Sequence, residues 1–276
     1  MTRSLFDKRQ HFKDLHREGC FILPNPWDPG SARMLAALGF EALASTSTGF
    51  AWSIGEPDYA ITFDAALEHF RALADAVDVP INADFESGFA SSEEELAESV
   101  LMAAETGIAG VSIEDRIYGD MDHLYDSATA ITRIVAAREA LDQAGVPVVL
   151  VARTEGLLVG GTVKEAISKL VAFAEAGADC VYAPGLGMPG LSSLEDVRVL
   201  VRNVEPVAVN VLVAGPGISF QQLADVGVRR ISVGGALAQV SWTAFSAAAK
   251  KLKAGSFDGL QGGMPGNELN QIFAGS

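Results

Sequence analysis

The sequence predicts a (β/α)8 TIM barrel, and three observations lead to that fold class. First, four glycines stand between an apolar helix end and a short β-rich run, at Gly39, Gly107, Gly177 and Gly227, where a helix needs a left-handed residue before the chain turns into a strand. Second, the β-rich runs are short and almost wholly apolar, which is typical of parallel strands covered on both faces. Third, eight such β-then-α units fill the 276 residues, as a barrel of about 250 residues requires. A doubly wound open sheet shares this alternation and remains the alternative.

The eight predicted strands cover residues 20–24, 41–46, 80–85, 109–114, 147–153, 179–183, 207–213 and 229–233. Capping boxes predict where four of the helices begin, at Ser92 with Glu95, Thr162 with Glu165, Ser192 with Glu195 and Ser219 with Gln222. Residues 4–18 predict an extra N-terminal helix, and the glycine-rich residues 254–276 predict a loosely structured tail. Because no linker or change of composition divides the chain, we expect a single domain over 1–276 with the barrel at about 19–253.

The composition argues against several classes of function. Against 35 acidic residues stand 20 Lys and Arg, so the net charge is −15, and such a surface repels nucleic acids and anionic lipid. The two cysteines, Cys20 and Cys180, lie in apolar stretches, which favours a reducing compartment over a disulfide framework. The charged N-terminus lacks the apolar core of a signal peptide. We therefore expect a cytoplasmic protein with no nucleic-acid or membrane partner.

Acidic side chains follow two neighbouring strands of the predicted barrel. Asp84 and Glu86 come at the end of the third strand, and Glu114 ends the fourth. The carboxyl ends of barrel strands form the reactive face, so these carboxylates should converge, and they repel one another unless a cation is bound. Oxygen ligands without histidine or cysteine favour Mg²⁺, with Mn²⁺ as the second choice. Alternatively, the acidic residues only cap the helices that follow them.

Arg153 is the cation that we expect at these strand ends. It ends the fifth strand, and a guanidinium there is suited to hold a carboxylate or phosphonate through two hydrogen bonds. An ion pair with Glu155 or Glu86 is the alternative role. The STSTG run after the second strand offers further groups for an anionic oxygen, namely the hydroxyls and backbone amides of Thr46, Ser47 and Thr48.

Several motifs together resemble the isocitrate lyase and phosphoenolpyruvate mutase superfamily over about residues 10–250. They are PNPWDPGSARMLAALGFEALASTSTG at 24–49, IGEPD at 54–58, NAD at 82–84, VSIED at 111–115, VARTE at 151–155 and EAGAD at 175–179. The resemblance implies a TIM barrel whose last helix is exchanged between the subunits of a homodimer or homotetramer. It also implies a Mg²⁺ that chelates a small 2-oxo carboxylic acid.

The resemblance assigns roles to individual residues. Asp84 and Glu114 match acidic residues of the metal site, Asn82 stands where many members have a further aspartate, and Glu86 lies in a short insertion where it replaces the missing charge. The matches on the substrate side are Trp27, Thr46, Ser47, Thr48, Asp58, Arg153 and Asn210. Asp58 matches an acidic residue near the substrate, and Asn210 matches an asparagine that binds a substrate carboxylate.

Departures from the family pattern narrow the expected activity. Lyases of isocitrate and methylisocitrate carry a K-[KR]-C-G-H loop whose cysteine is the general acid, whereas residues 116–126 read RIYGDMDHLYD, and Gly185 replaces a lyase glutamate. We expect a Mg²⁺-dependent lyase that cleaves a carbon–carbon bond of a small 2-oxo or 2-hydroxy acid through an enolate, such as an oxaloacetate decarboxylase or a 2-methylisocitrate-lyase-like enzyme, with Tyr118 or His123 as the acid. A carbon–phosphorus bond enzyme and a non-catalytic keto-acid-binding protein are the alternatives.

Overall fold

The computed structural model describes residues 3–188 and 190–274 and contains ten strands in that part of the chain. The strands are β1 (Phe21–Leu23), β2 (Leu43–Ala44), β3 (Ile81–Asp84), β4 (Gly110–Glu114), β5 (Arg116–Ile117), β6 (Asp120–Leu124), β7 (Val149–Arg153), β8 (Cys180–Tyr182), β9 (Ala208–Leu212) and β10 (Arg230–Ser232). The helices are α1 (Leu5–Leu15), α2 (Pro29–Ala37), α3 (Ser47–Ser53), α4 (Phe63–Ala76), α5 (Glu93–Ala104), α6 (Ser127–Gln143), α7 (Val163–Glu175), α8 (Leu194–Val204), α9 (Phe220–Asp225), α10 (Ala236–Lys253) and α11 (Gly266–Ala274). Short 3₁₀ helices lie at Gly156–Val159 and Asp258–Leu260.

Eight of these strands form one parallel sheet that rolls into a nearly closed barrel. Their order is β1-β10-β9-β8-β7-β4-β3-β2, and the amide of Ala44 donates to the carbonyl of Pro24 at 3.1 Å, which joins the two ends of the sheet. All eight predicted strands are confirmed, with small differences at their ends. The closure confirms the TIM barrel and excludes the open sheet.

The extra N-terminal helix is also confirmed, and it closes the N-terminal end of the barrel. Phe12 of α1 is fully buried and belongs to the inner apolar cluster with Leu23, Val149 and Cys180. Arg9 of the same helix donates to the carbonyls of Ala104 and Ile108, just before β4. The opposite end of the barrel, where the strands finish, is therefore the end that is left for a site.

Most of the predicted helix starts agree with the structure. Capping boxes at Ser92, Thr162 and Ser219 are confirmed, but the cap of α8 is Ser193 with Asp196, so the prediction of Ser192 with Glu195 is wrong by one residue. The hydroxyl of Ser192 instead accepts from the amide of Gly187 at 2.6 Å and donates to the carbonyl of Gly185 at 2.9 Å. The preceding turn thus uses this side chain before the helix begins.

Two segments differ from the sequence-based expectation. Residues 116–124, expected to be a loop, form an antiparallel hairpin of β5 and β6. The tail, expected to be loosely structured, contains a 3₁₀ turn and α11, which contacts α2; positions 275 and 276 lie outside the described residues. In the described part of the chain, no helix combines the length and the apolar character that a membrane span needs.

Candidate functional site

Three of the predicted site residues meet at the carboxyl ends of β3, β4 and β7. Glu114 and Arg153 are paired in the register of β4 with β7. The Nη1 of Arg153 lies 3.3 Å from Oδ1 of Asp84 and 3.4 Å from Oε2 of Glu114, and its Nε donates to Glu155. The guanidinium thus lies among three carboxylates. The predicted ion pair of Arg153 with Glu155 is present, and the described residues show no ion pair of Arg153 with Glu86.

The charge of Arg153 is stabilised by these neighbours. Burial alone would lower the pKa of this guanidinium, but the carboxylates of Glu155, Glu114 and Asp84 outweigh that effect and place its pKa well above the ordinary value. The ring of Tyr182 lies beside it, 5.3 Å from the guanidinium carbon. Arg153 is therefore a fixed positive charge, and its side chain is still 17% exposed at the end of the barrel.

The first turn of α3 fixes the orientation of Asp84. The backbone amide and the hydroxyl of Ser47 both donate to Oδ2 of Asp84 at 3.0 Å. Thr46 is the N-cap of this helix, because its hydroxyl accepts from the amide of Gly49, and Thr48 donates to Asp58 at 2.9 Å. The hydroxyls that the sequence assigns to substrate binding are thus engaged with the protein itself. Those of Ser47 and Thr48 position Asp84 and Asp58, and that of Thr46 caps α3.

Two further carboxyl groups are buried beside this cluster. Glu86 is 7% exposed and Glu114 is 3% exposed, and Oε1 of each has no hydrogen-bond partner among the described residues. Burial is the largest cause that raises the pKa of Glu86 to about 9, and the negative charges of Asp84, Glu114 and Asp58 raise it further. Burial also raises the pKa of Glu114, against the opposing effect of Arg153, and the pKa of Asp58.

The raised pKa of Glu86 makes the stability of the metal-free protein depend on pH. In the native state Glu86 keeps its proton up to about pH 9, whereas in the unfolded chain it ionises near its ordinary value of about 4.3. Between these values the unfolded state binds fewer protons, so stability falls as pH rises, by up to about 1.4 kcal/mol per pH unit from this group. We expect the thermal midpoint of the metal-free protein to fall as the pH rises from about 4.3 to about 9.

Glu86→Gln keeps the shape of the protonated side chain and cannot ionise. It should therefore make the thermal midpoint depend less on pH, measured by calorimetric melting across the same pH values. Glu94→Gln, an exposed position on α5, serves as the control and should leave the slope unchanged. Equal slopes in the wild type and in Glu86→Gln would contradict the prediction.

Arg116 is a second cation at the same end of the barrel. The expectation from the sequence that Arg153 is the one cation at these strand ends is therefore wrong. The Nη2 of Arg116 lies 3.6 Å from Oε2 of Glu155, and its Nε lies 4.0 Å from Oε1 of Glu114. Its guanidinium carbon lies 5.5 Å from the centre of the Tyr59 ring. The signal was present in the sequence, since Arg116 follows Glu114 by two positions after a buried strand.

Three predicted site residues have their described contacts away from this cluster, and a fourth packs beside it. The amide of Asn210 is fully buried inside the barrel, where it donates to Ser232 and accepts from Arg230. His123 is exposed on the hairpin and contacts Asp120 at 2.8 Å. The other two are Tyr118, which is 45% exposed with its ring against Phe89, and Trp27, which packs against the first turn of α3 beside Gly49.

The donor set fits a hydrated Mg²⁺. Five carboxyl groups lie around two guanidinium groups, those of Asp58, Asp84, Glu86, Glu114 and Glu155. Two of their buried oxygens, Oε1 of Glu86 and Oε1 of Glu114, have no hydrogen-bond partner among the described residues. Within residues 3–188 and 190–274, no three His, Cys, Asp or Glu side chains are arranged so that together they could hold a metal ion. Mg²⁺ usually keeps several waters and uses one or two carboxylates, so a complete cage is not required.

Comparison with known proteins identifies the relatives of this chain. A model of the phosphoenolpyruvate phosphomutase family matches residues 12–253. A crystal structure from Burkholderia cenocepacia, provisionally described as a lyase/mutase, superposes with a TM-score of 0.91 and 41% identity over 97% of this chain and 96% of the other. An uncharacterised protein of Mycobacterium tuberculosis is 33% identical over 81% of each chain. Oxaloacetate decarboxylase of Pseudomonas entomophila is 28% identical over 81% of this chain and 77% of its own length.

Proposed function

Because this chain belongs to the phosphoenolpyruvate phosphomutase family and is an enzyme of the isocitrate lyase and phosphoenolpyruvate mutase superfamily, we propose that it is a Mg²⁺-dependent lyase that decarboxylates oxaloacetate. The observation that carries the proposal is the cluster of Asp84, Glu114 and Arg153 at the carboxyl ends of three adjacent strands. The similarity to an oxaloacetate decarboxylase over most of both chains supports it.

The chain's own residues supply binding and orientation for this reaction. When bound, Mg²⁺ would be held by Asp84, Glu86 and Glu114, directly or through water, and would supply a Lewis acid for the 2-oxo acid. Ser47 keeps the Asp84 carboxylate fixed. Arg153 is a fixed donor beside it, placed to stabilise negative charge that develops on the substrate oxygen as the bond between C3 and C4 breaks.

Decarboxylation needs little more than this electrostatic stabilisation. The electron pair of the broken bond moves toward the 2-oxo oxygen, CO₂ leaves as a neutral molecule, and C3 then takes a proton from water. Cleavage of methylisocitrate needs in addition an acid that protonates the departing fragment. The hairpin that replaces the lyase loop has no cysteine, and its His123 side chain is 72% exposed and paired with Asp120, which favours decarboxylation.

The test is to assay the purified protein with Mg²⁺ on oxaloacetate, 2-methylisocitrate and phosphonopyruvate, with pyruvate and phosphate as the measured products. We expect pyruvate from oxaloacetate, loss of turnover after chelation with EDTA, and recovery with Mg²⁺ or Mn²⁺. Phosphate release from phosphonopyruvate without oxaloacetate turnover would replace the proposal with carbon–phosphorus chemistry. Turnover that survives chelation would contradict the metal requirement.

We further propose that α10 forms the contact of a homodimer or homotetramer. Ala238 is the buried residue of this helix of 18 residues, whereas Val240, Trp242 and Phe245 are 67%, 43% and 65% exposed. Large apolar side chains that lie exposed close together on one helix are typical of an interface between protein chains.

Trp242→Asp with Phe245→Asp should therefore lower the mass in solution, measured by light scattering after size exclusion, because burying two carboxylates in an apolar contact is unfavourable. Leu38→Asp, which changes an apolar side chain that is 69% exposed at the C-terminal end of α2, is the control. A wild type that already runs as a monomer would refute the proposal.

A further inference from the structure

A cavity of about 410 Å³ lies at the N-terminal end of the barrel, away from the candidate site. It is lined by Lys13, His16, Arg17, Val149, Asp179 and Pro206. The first three belong to the end of α1 and the turn that follows it, Val149 begins β7, and the last two precede β8 and β9. Cavities of this size hold small molecules, and the proposed function gives this one no role.

Basic side chains line this cavity, although the chain as a whole carries a net charge of −15. Lys13 is half-buried, and its ammonium group makes no hydrogen bond or ion pair in the described part of the chain. Arg17 pairs with Asp14 through Nη1 at 2.7 Å, but both side chains are exposed, so this pair contributes little. Because Lys13 and Arg17 are four positions apart along a helical turn, their positive charges lie on the same side of it.

His16 contributes a buried acceptor to the wall of the cavity. It is 6% exposed, and its Nδ1 donates to the carbonyl of Phe12 at 2.8 Å. Burial, together with the nearby charge of Arg230, lowers the pKa of His16 to about 3, so the ring is neutral and its Nε2 carries a lone pair. This nitrogen has no hydrogen-bond partner among the described residues. A buried acceptor without a donor is costly, which favours a bound group with an O–H.

Asp179 is a further acceptor in the wall, and its charge is already compensated. Its Oδ2 accepts from the backbone amide of Leu150 at 2.8 Å and from Arg138 at 3.1 Å. Both of these bonds end on Oδ2, and the side chain is 32% exposed, so Oδ1 is left to accept from a ligand. Because Arg138 neutralises this carboxylate, Asp179 opposes a bound anion less than an unpaired carboxylate would.

These groups together define the chemistry of a ligand. The two cations require anionic oxygens, and the two acceptors require a hydroxyl. Hydrogen phosphate carries both on one tetrahedral group, whereas sulfate has the same shape and no hydroxyl at neutral pH. We propose that this cavity binds phosphate, free or as part of a small molecule, with its anionic oxygens toward Lys13 and Arg17 and its hydroxyl toward the acceptors of Asp179 and His16. The site does not rest on the proposed function.

The test is titration calorimetry of the full chain at neutral pH, without divalent cations, with inorganic phosphate and with sulfate. Phosphate should bind at least about tenfold more tightly, because sulfate sets an acceptor against each acceptor of the wall. Lys13→Gln, a change at a half-buried helix position, should weaken phosphate binding about tenfold. Asp179→Asn presents an NH₂ group in place of Oδ1, so it should reduce the preference for phosphate over sulfate.

Two controls locate the binding. Lys164→Gln removes an exposed lysine of α7, and Arg153→Lys changes the candidate site at the other end of the barrel; both should keep the phosphate affinity. Glycerol 3-phosphate is the third probe: tighter binding than inorganic phosphate, lost in Lys13→Gln, supports an organic phosphate as the ligand, and equal or weaker binding supports free phosphate.

Three results would overturn the proposal. They are a wild type that binds no phosphate or binds sulfate equally well, a folded Lys13→Gln that keeps the wild-type affinity, and a loss of phosphate binding in Arg153→Lys but not in Lys13→Gln. An unchanged preference for phosphate in folded Asp179→Asn would overturn the contact between its hydroxyl and Asp179. Oxaloacetate turnover by Lys13→Gln should equal that of the wild type, so failure of this site and failure of the proposed reaction are seen separately.

Discussion

Arg153→Ala should lower kcat/KM for oxaloacetate by about a thousandfold, because it removes a fixed cationic donor at the place where negative charge develops in the reaction. It should also destabilise the fold. The side chains of Glu114 and Glu155 are 2% and 1% exposed, and without Arg153 their charges are less well compensated, at a cost of about 3 kcal/mol. Steady-state kinetics and thermal melting measure the two effects separately.

Arg138→Ala is a matched control for this variant. Arg138 is 15% exposed, close to the 17% of Arg153, and it also pairs with two carboxylates, Asp142 at 2.7 Å and Asp179 at 3.1 Å. Its removal should lower the thermal midpoint without changing kcat. Arg153→Lys keeps the charge but not the planar fork, so it should fold better than Arg153→Ala and stay well below wild-type activity. Normal turnover in Arg153→Ala would show that its role in the reaction is wrong.

The barrel itself was predictable from local sequence signals. Each strand is short and apolar, and glycines such as Gly107, with φ of 93°, stand where a helix ends before a strand begins. The hairpin of β5 and β6 gave no such signal, because β5 has two residues and β6 reads DMDHL. β5 and β6 are strands because they pair with each other, and the hydrophobic periodicity of either segment does not reveal such a pairing.

Only the site residues that end strands could be placed from the sequence. Asp84, Glu114 and Arg153 end parallel strands, so the rule for barrels brings them together. The place of Tyr59 depends on a loop whose path no local pattern determines. Asn210 was assigned to substrate, but Arg230 is 3% exposed inside the barrel and needs oxygen acceptors there, which Asn210 and Asn82 supply.

The second large effect is expected for Asp84→Asn, which should lower kcat/KM by at least about a hundredfold and weaken the response to Mg²⁺. Oδ2 of Asp84 accepts two hydrogen bonds from Ser47, and Oδ1 faces Nη1 of Arg153. Asparagine has the same shape, but its amide must present NH₂ either to Ser47 or to Arg153, and both are donors there. The substitution thus loses a charge that would hold the metal and sets a donor against a donor.

Asp179→Asn separates the chemical role of Asp84 from this structural cost. Asp179 also accepts from one backbone amide, that of Leu150 at 2.8 Å, and from one guanidinium, that of Arg138 at 3.1 Å, but it precedes β8 at the opposite end of the barrel. Both variants remove a negative charge that compensates a guanidinium and should therefore lose stability, and Asp84→Asn alone should lose turnover and Mn²⁺ binding, measured by electron paramagnetic resonance. If Asp84→Asn kept wild-type Mn²⁺ affinity, Asp84 would not be a metal ligand, since a carboxylate charge next to the ion contributes strongly to affinity for a hard cation.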